Sequence, residues 1–108
     1  TARDMAFLME YIIENEPTIL SYTTENEVDL QNTAGGLHEA DNTNYYVDEI
    51  PGLIGSKTGF TDLAGGNLVV AFDVGLNRPF VIVVIGSTRQ ERFSDVITLV
   101  EGVKQYIN

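Results

Sequence analysis

A lysine, a hydroxyl and a glycine stand in a row at Lys57-Thr58-Gly59, within the stretch Gly52-Leu53-Ile54-Gly55-Ser56-Lys57-Thr58-Gly59-Phe60-Thr61. Lys57 is one of only two lysines in a chain that carries 16 acidic residues against 6 basic ones. An apolar run enters the stretch and Gly65-Gly66 follows it, so it reads as a strand ending in a loop. Side chains alternate along a strand, which turns Lys57 and Gly59 to one face and Ser56 and Thr58 to the other. An isolated ammonium beside a hydroxyl can receive a carboxylate, and a bare glycine lets a ligand backbone lie close. Taken alone, Lys-Thr-Gly more often marks a solvent-facing lysine on a strand.

Other chemistries fail on spacing. A phosphate-binding loop needs glycine immediately before the lysine and again five residues earlier, opening a helix. Here those places hold Ser56 and Pro51, and Gly59 falls where the helix should start. The three-glycine order of a dinucleotide site is also missing. There is no cysteine and a single histidine, His38, so a zinc site is poorly supplied. No Gly-x-Ser-x-Gly motif accompanies His38, which reads as a surface residue. Glu25, Glu27 and Asp29 could face calcium, but no glycine-bearing loop wraps them around an ion. Neither a metal nor another cofactor is expected. The net charge of −10 argues against nucleic acid and against an anionic membrane surface.

The elements that must hold the trio can be read from periodicity. With 108 residues and 44% apolar content, one ordered domain, spanning 1–108, is expected. Met5, Leu8, Met9, Ile12 and Ile13 recur at helical spacing from Ala2 to about Glu14. Thr1 and Asp4 have the spacing of an N-cap and its N3 partner with no leader ahead, so the chain reads as cut at its front. Pro17 ends this helix, and a short helical turn through Ile19 and Leu20 follows. Residues 25–30 alternate acidic with neutral residues, as a half-buried strand with a solvated acidic face does. Asn32 to Asn44 reads as a loop. Residues 66–74 and 79–86 form an antiparallel hairpin about a turn at Gly75-Leu76-Asn77-Arg78. The second of these strands is apolar throughout, which suggests the centre of a sheet. Phe93, Val96, Ile97, Val100, Val103 and Ile107 make the stripe of a last helix that must cover one sheet face.

The order of these pieces resembles the later half of the penicillin-binding domain of serine-type D-alanyl-D-alanine carboxypeptidases. The resemblance is carried by Thr1-Ala2-Arg3-Asp4-Met5-Ala6, Asn42-Thr43-Asn44, Gly55-Ser56-Lys57-Thr58-Gly59-Phe60-Thr61, Ala64-Gly65, Val83-Val84-Ile85-Gly86 and Arg92-Phe93. It implies an α+β fragment of the β-lactamase/DD-peptidase fold: a three-stranded antiparallel meander, an N-terminal helix, and a C-terminal helix packed on the sheet. It also implies roles. Lys57 would supply positive charge beside a Ser-x-Asn serine, and Thr58 would bind the substrate's terminal carboxylate. Gly59 would leave room for the peptide, the Phe60 N–H would donate to an oxyanion, and Arg92 would help hold the carboxylate. The parent would be an extracytoplasmic enzyme acting on peptidoglycan D-Ala-D-Ala peptides and inhibited by β-lactams.

The nucleophile is missing from these residues. The residues three places after Ser21, Ser56, Ser87 and Ser94 are Thr24, Gly59, Gln90 and Ile97, so no Ser-x-x-Lys occurs. No serine has asparagine two places on, which removes Ser-x-Asn as well. Covalent catalysis needs a positioned nucleophile and base, so the chain is expected to be inert alone, a binding wall without the attacking group. A β-lactamase fragment, or a non-catalytic carboxylate-binding or chain-pairing module, are the rival expectations. In the resemblance, the strand from Phe80 to Ile85 lacks a neighbour, which points to self-association through that edge.

Overall fold

The computed structural model describes residues 1–75 and 77–107. The expected turn at Gly75-Leu76-Asn77-Arg78 includes Leu76, which lies outside the described residues. In chain order the elements are helix α1 (Ala2–Asn15), a 3₁₀ helix (Pro17–Thr24), strands β1 (Glu27–Gln31) and β2 (Leu37–Asp41), a short 3₁₀ turn (Val47–Glu49), strands β3 (Leu53–Thr61), β4 (Gly65–Asp73) and β5 (Pro79–Ser87), and helix α2 (Glu91–Ile107).

Helix α1 begins as its residues require. The Asp4 N–H donates to Thr1 Oγ1 at 3.1 Å, and the Asp4 side chain accepts in return from the Thr1 backbone. This reciprocal box satisfies two of the donors that a helix start leaves open. Strands β3, β4 and β5 form an antiparallel meander in that spatial order, with β4 in the middle. Residues alternate between its two faces. Val69 and Ala71 pack with Met9 and Leu20 beneath α1 and the 3₁₀ helix. Leu68, Val70 and Phe72 pack with Phe93, Val96 and Val100 of α2. The sheet is thus covered by a helix on each face.

Three expectations need correction. Residues 37–41 are strand rather than loop, pairing with β1 so that Glu27 faces Asp41 and Asp29 faces Glu39. The resulting ribbon is almost wholly exposed, with only Val28 partly covered, so β1 is not half-buried. Its turn is built by Asn32, whose Oδ1 accepts from the N–H groups of Ala34 and Gly36 at 3.0 and 2.7 Å. Strand β5 lies at the sheet edge, as the resemblance implies, and not at the centre that its apolar run suggests. Its apolar run reflects helices on both faces, a condition that an edge strand meets as well as a central one.

Candidate functional site

Strand β3 carries Lys57-Thr58-Gly59-Phe60, and it forms the other edge of the meander. Lys57 sits opposite Val69, and Thr58 opposite Leu68. Cross-strand partners share a face, which sets Lys57 on the α1 side and Thr58 on the α2 side. The outer edge of β3 is the more telling feature. The Ser56 N–H donates away from β4, to Thr23 Oγ1 at 3.0 Å. Residues two apart on a strand present their N–H groups to the same edge. The N–H groups of Thr58 and Phe60 therefore also point out of the sheet, where an extended ligand would meet them.

A groove of ≈ 230 Å³ runs along this edge between β3 and the β1–β2 ribbon, lined by Thr23, Glu27, Asp41 and Thr43 together with Lys57 and Thr58. Lys57 is exposed, and its ammonium donates to the Thr58 carbonyl. The Thr58 hydroxyl bonds to that of Thr43. Thr43 is placed by Asn42, whose Nδ2 donates to the carbonyls of Thr23 and Glu25, each at 2.8 Å, and whose Oδ1 accepts from the Asn44 N–H at 2.9 Å. Thr23, Asn42 and Thr43 thus build the far bank of the groove. Sequence reasoning gave them no role, although Asn-Thr-Asn with its turn-forming side chains was the available signal.

Gly59 is open. Among the described residues a Cβ there would meet nothing closer than Asn67 Cβ at 4.0 Å, so none of them demands a glycine. Arg92, which the resemblance assigns to a substrate carboxylate, is buried. Its Nη1 donates to the Gly59 carbonyl at 3.1 Å and reaches the Asn67 carbonyl at 3.5 Å. The guanidinium lies 4.7 Å from the Phe93 ring centroid, and its buried Nε has no hydrogen-bond partner among the described residues. Ring stacking of this kind suits a weakly hydrated guanidinium. The Phe60 ring is partly exposed and carries Arg89 above it.

The opposite bank is acidic. Carboxylate oxygens of Glu27, Glu39 and Asp41 lie within 4.8 Å of one another. Glu39 is held above its ordinary value of 4.5, first by the charge of Glu27, then by a hydrogen bond with Glu27 and by Asp41 and Asp29. A carboxyl whose folded pKa is raised supports the fold while protonated, and that support is lost as pH rises through the folded value. Carboxyl ¹³C titration should therefore place Glu39 above 4.5, with Glu27→Gln moving it back down. A midpoint at or below 4.5 in the unmodified chain would contradict this like-charge cluster.

An antiparallel meander with a helix on each face is the architecture of the β-lactamase/DD-peptidase class. The chain belongs to the D-alanyl-D-alanine carboxypeptidase family, whose model matches residues 1–89. It is similar to penicillin-binding protein D2 from Listeria monocytogenes with ampicillin bound, at 30% identity and a TM-score of 0.80, over 94% of this chain and 40% of that one. It is similar to penicillin-binding protein 5 from Haemophilus influenzae, at 29% identity and a TM-score of 0.76, over 94% of this chain and 28% of that one. A single-residue mutant of the Streptomyces K15 DD-transpeptidase gives 25% identity and a TM-score of 0.78, over 94% and 41%. The chain thus spans between 28% and 41% of the length of these three structures. Curated protein sequences gave no match.

Proposed function

We propose that this chain supplies the substrate-binding wall of a serine-type D-Ala-D-Ala carboxypeptidase, one that trims the terminal D-alanine of peptidoglycan peptides through an acyl-serine intermediate outside the cytoplasm. The observation that carries this reading is the free edge of β3. It combines outward N–H groups at Thr58 and Phe60, the Thr58 hydroxyl, the Lys57 charge and an unhindered Gly59.

Each part has a chemical task. A peptide laid along β3 adds a strand to the edge, its backbone accepting from the exposed donors. Its terminal carboxylate accepts from Thr58. The Phe60 N–H donates to the oxygen that becomes negative on attack, an interaction whose loss costs roughly 10²–10³ in rate. Lys57 stands on the opposite face and supplies positive charge toward the serine machinery that the full enzyme provides. A β-lactam would occupy the same edge, in keeping with the ampicillin-bound and cefotaxime-bound D2 proteins to which the chain is similar.

Alone, the chain is inert in this reading, because no Ser-x-x-Lys or Ser-x-Asn lies among its residues. Incubation with a fluorescent penicillin followed by denaturing electrophoresis should give no stoichiometric adduct. A one-to-one covalent product on the isolated chain would defeat the inertness. A second reading, chain pairing, is favoured by the open edge of β5, and we propose that the isolated chain self-associates there.

A further inference from the structure

We propose that Thr43 is a positioning residue for this wall: its hydroxyl fixes the rotamer of Thr58 and leaves the Thr58 proton free for the ligand. This rests on the reading that β3 receives a carboxylate-ended peptide at Thr58. Threonine carries a hydroxyl and a methyl on one Cβ, so a change of χ1 rotamer swaps one for the other. Thr58 alone could thus offer a ligand oxygen either a donor or a methyl. Thr43 decides between them, because it lines the same groove and its hydroxyl bonds to that of Thr58.

The seat of Thr43 is built from its two neighbours in sequence. Asn42 is tied down ahead of it. Its N–H donates to the Asn26 carbonyl at 2.7 Å, and its Nδ2 to the carbonyls of Thr23 and Glu25 at 2.8 Å each. Asn44 follows and is buried, its Oδ1 accepting from the Tyr46 N–H at 3.1 Å. Tyr46 in turn stacks on Phe93 of α2, with ring centroids 5.2 Å apart. The exposed Thr43 fills no core space, and what these ties hold in place is its hydroxyl.

Proton accounting gives the pair a direction. Each hydroxyl has one proton to donate and lone pairs with which to accept. A ligand carboxylate only accepts, so it takes the Thr58 proton. Thr58 Oγ1 then accepts from Thr43, whose hydroxyl makes no other hydrogen bond among the described residues. The relay runs from Thr43 to Thr58 to the ligand, and each bond polarises the next. Valine in place of Thr43 keeps the shape and removes the donor. The Thr58 oxygen then loses its partner, and its rotamer is free to swap.

The test compares Thr43→Val and Thr43→Ser with the unmodified 108-residue chain. Couplings from the Thr58 Cγ2 methyl to its backbone nitrogen and carbonyl carbon read χ1 without any ligand. The unmodified chain and Thr43→Ser should show one Thr58 rotamer, and Thr43→Val an average. The acid N-acetyl-D-Ala-D-Ala is then titrated into each chain and followed by ¹H–¹⁵N spectra. Thr43→Val should weaken its binding by about threefold to tenfold, the worth of one hydrogen bond, and Thr43→Ser should restore it. A role in folding alone would lower the melting temperature of Thr43→Val and leave Thr58 in one rotamer, which overturns the assignment. If Thr43→Val binds the acid as tightly as the unmodified chain, Thr43 positions nothing and the wall reading survives. If the acid does not bind the unmodified chain, the wall reading falls and takes this inference with it. Should Thr43→Val not fold, the other two chains decide: one shared Thr58 rotamer supports the assignment, and averaging in the unmodified chain overturns it.

Discussion

Alanine at position 66 is expected to destabilise the chain by about 3 kcal/mol, near the upper end for overpacking. The reason is that the clash is with backbone. A Cβ there would meet the Thr88 carbonyl oxygen at 2.0 Å and its carbon at 2.5 Å, and neither can rotate aside as a side chain would. Relief requires the loop before α2 to move as a unit, which also pulls Arg89 off Phe60. For a domain of this size the loss corresponds to a fall in Tm on the order of 10–20 °C. Gly59→Ala is the matched control on the facing strand. Its Cβ would meet only Asn67 Cβ at 4.0 Å, so stability should stay within about 0.5–1 kcal/mol of the original. Denaturant melts of the two variants decide the matter. If Gly66→Ala melts with the unmodified chain, the flush seat of the loop is wrong.

That contrast marks how far residues alone could be read. Two glycines on neighbouring strands look alike in a sequence, yet one is required by the Thr88 backbone and the other by no atom of the described residues. Elements with a buried stripe were legible. Met9, Ile12 and Ile13 announced α1, although Met5 and Leu8 of the same spacing lie exposed, and Phe93, Val96 and Val100 announced α2, because each stripe repeats what the sheet face demands. Strand β2 was illegible for the converse reason. Leu37-His38-Glu39-Ala40-Asp41 is exposed at every position, so burial imprints no alternation on it. Its pairing follows from the Asn32 turn, a local signal easily taken for a loop. The resemblance gave β5 as an edge, and only its apolar run pointed to the centre, because helices on both faces make an edge strand as apolar as a central one. In the site, Lys57, Thr58 and Gly59 were visible as a motif, whereas Thr23, Asn42 and Thr43 reach the groove only through tertiary contacts. Arg92 and Arg89, three residues apart, look equivalent on paper. Only the fold separates the buried one from the exposed one.

Self-association through β5 is the expected behaviour of the isolated chain in solution. Among the described residues the strand from Pro79 to Ser87 has one side unpaired, and between Phe80 and Ile85 it carries no charged residue. Edges are ordinarily blunted by lysine, proline or a bulge. Here Pro79 guards only the first position, and the bulge near Gly86 only the last. The open N–H and C=O groups between them match a second copy laid antiparallel, joining two meanders into one six-stranded sheet. A single strand edge buries less than a standard interface, so the expected dissociation constant is weak, on the order of tens to hundreds of micromolar. The charge of −10 on each copy opposes approach, and added salt should therefore strengthen the dimer by screening it. Ile85→Lys tests the geometry with little disturbance of the core, since Ile85 is already 52% exposed. It places a charge on the edge, and it should return the chain to monomer at every salt concentration. Sedimentation across a concentration series at low and high salt reads both effects. A clean monomer for the unmodified chain at millimolar concentration and high salt would mean that the β5 edge is protected by something other than its own sequence.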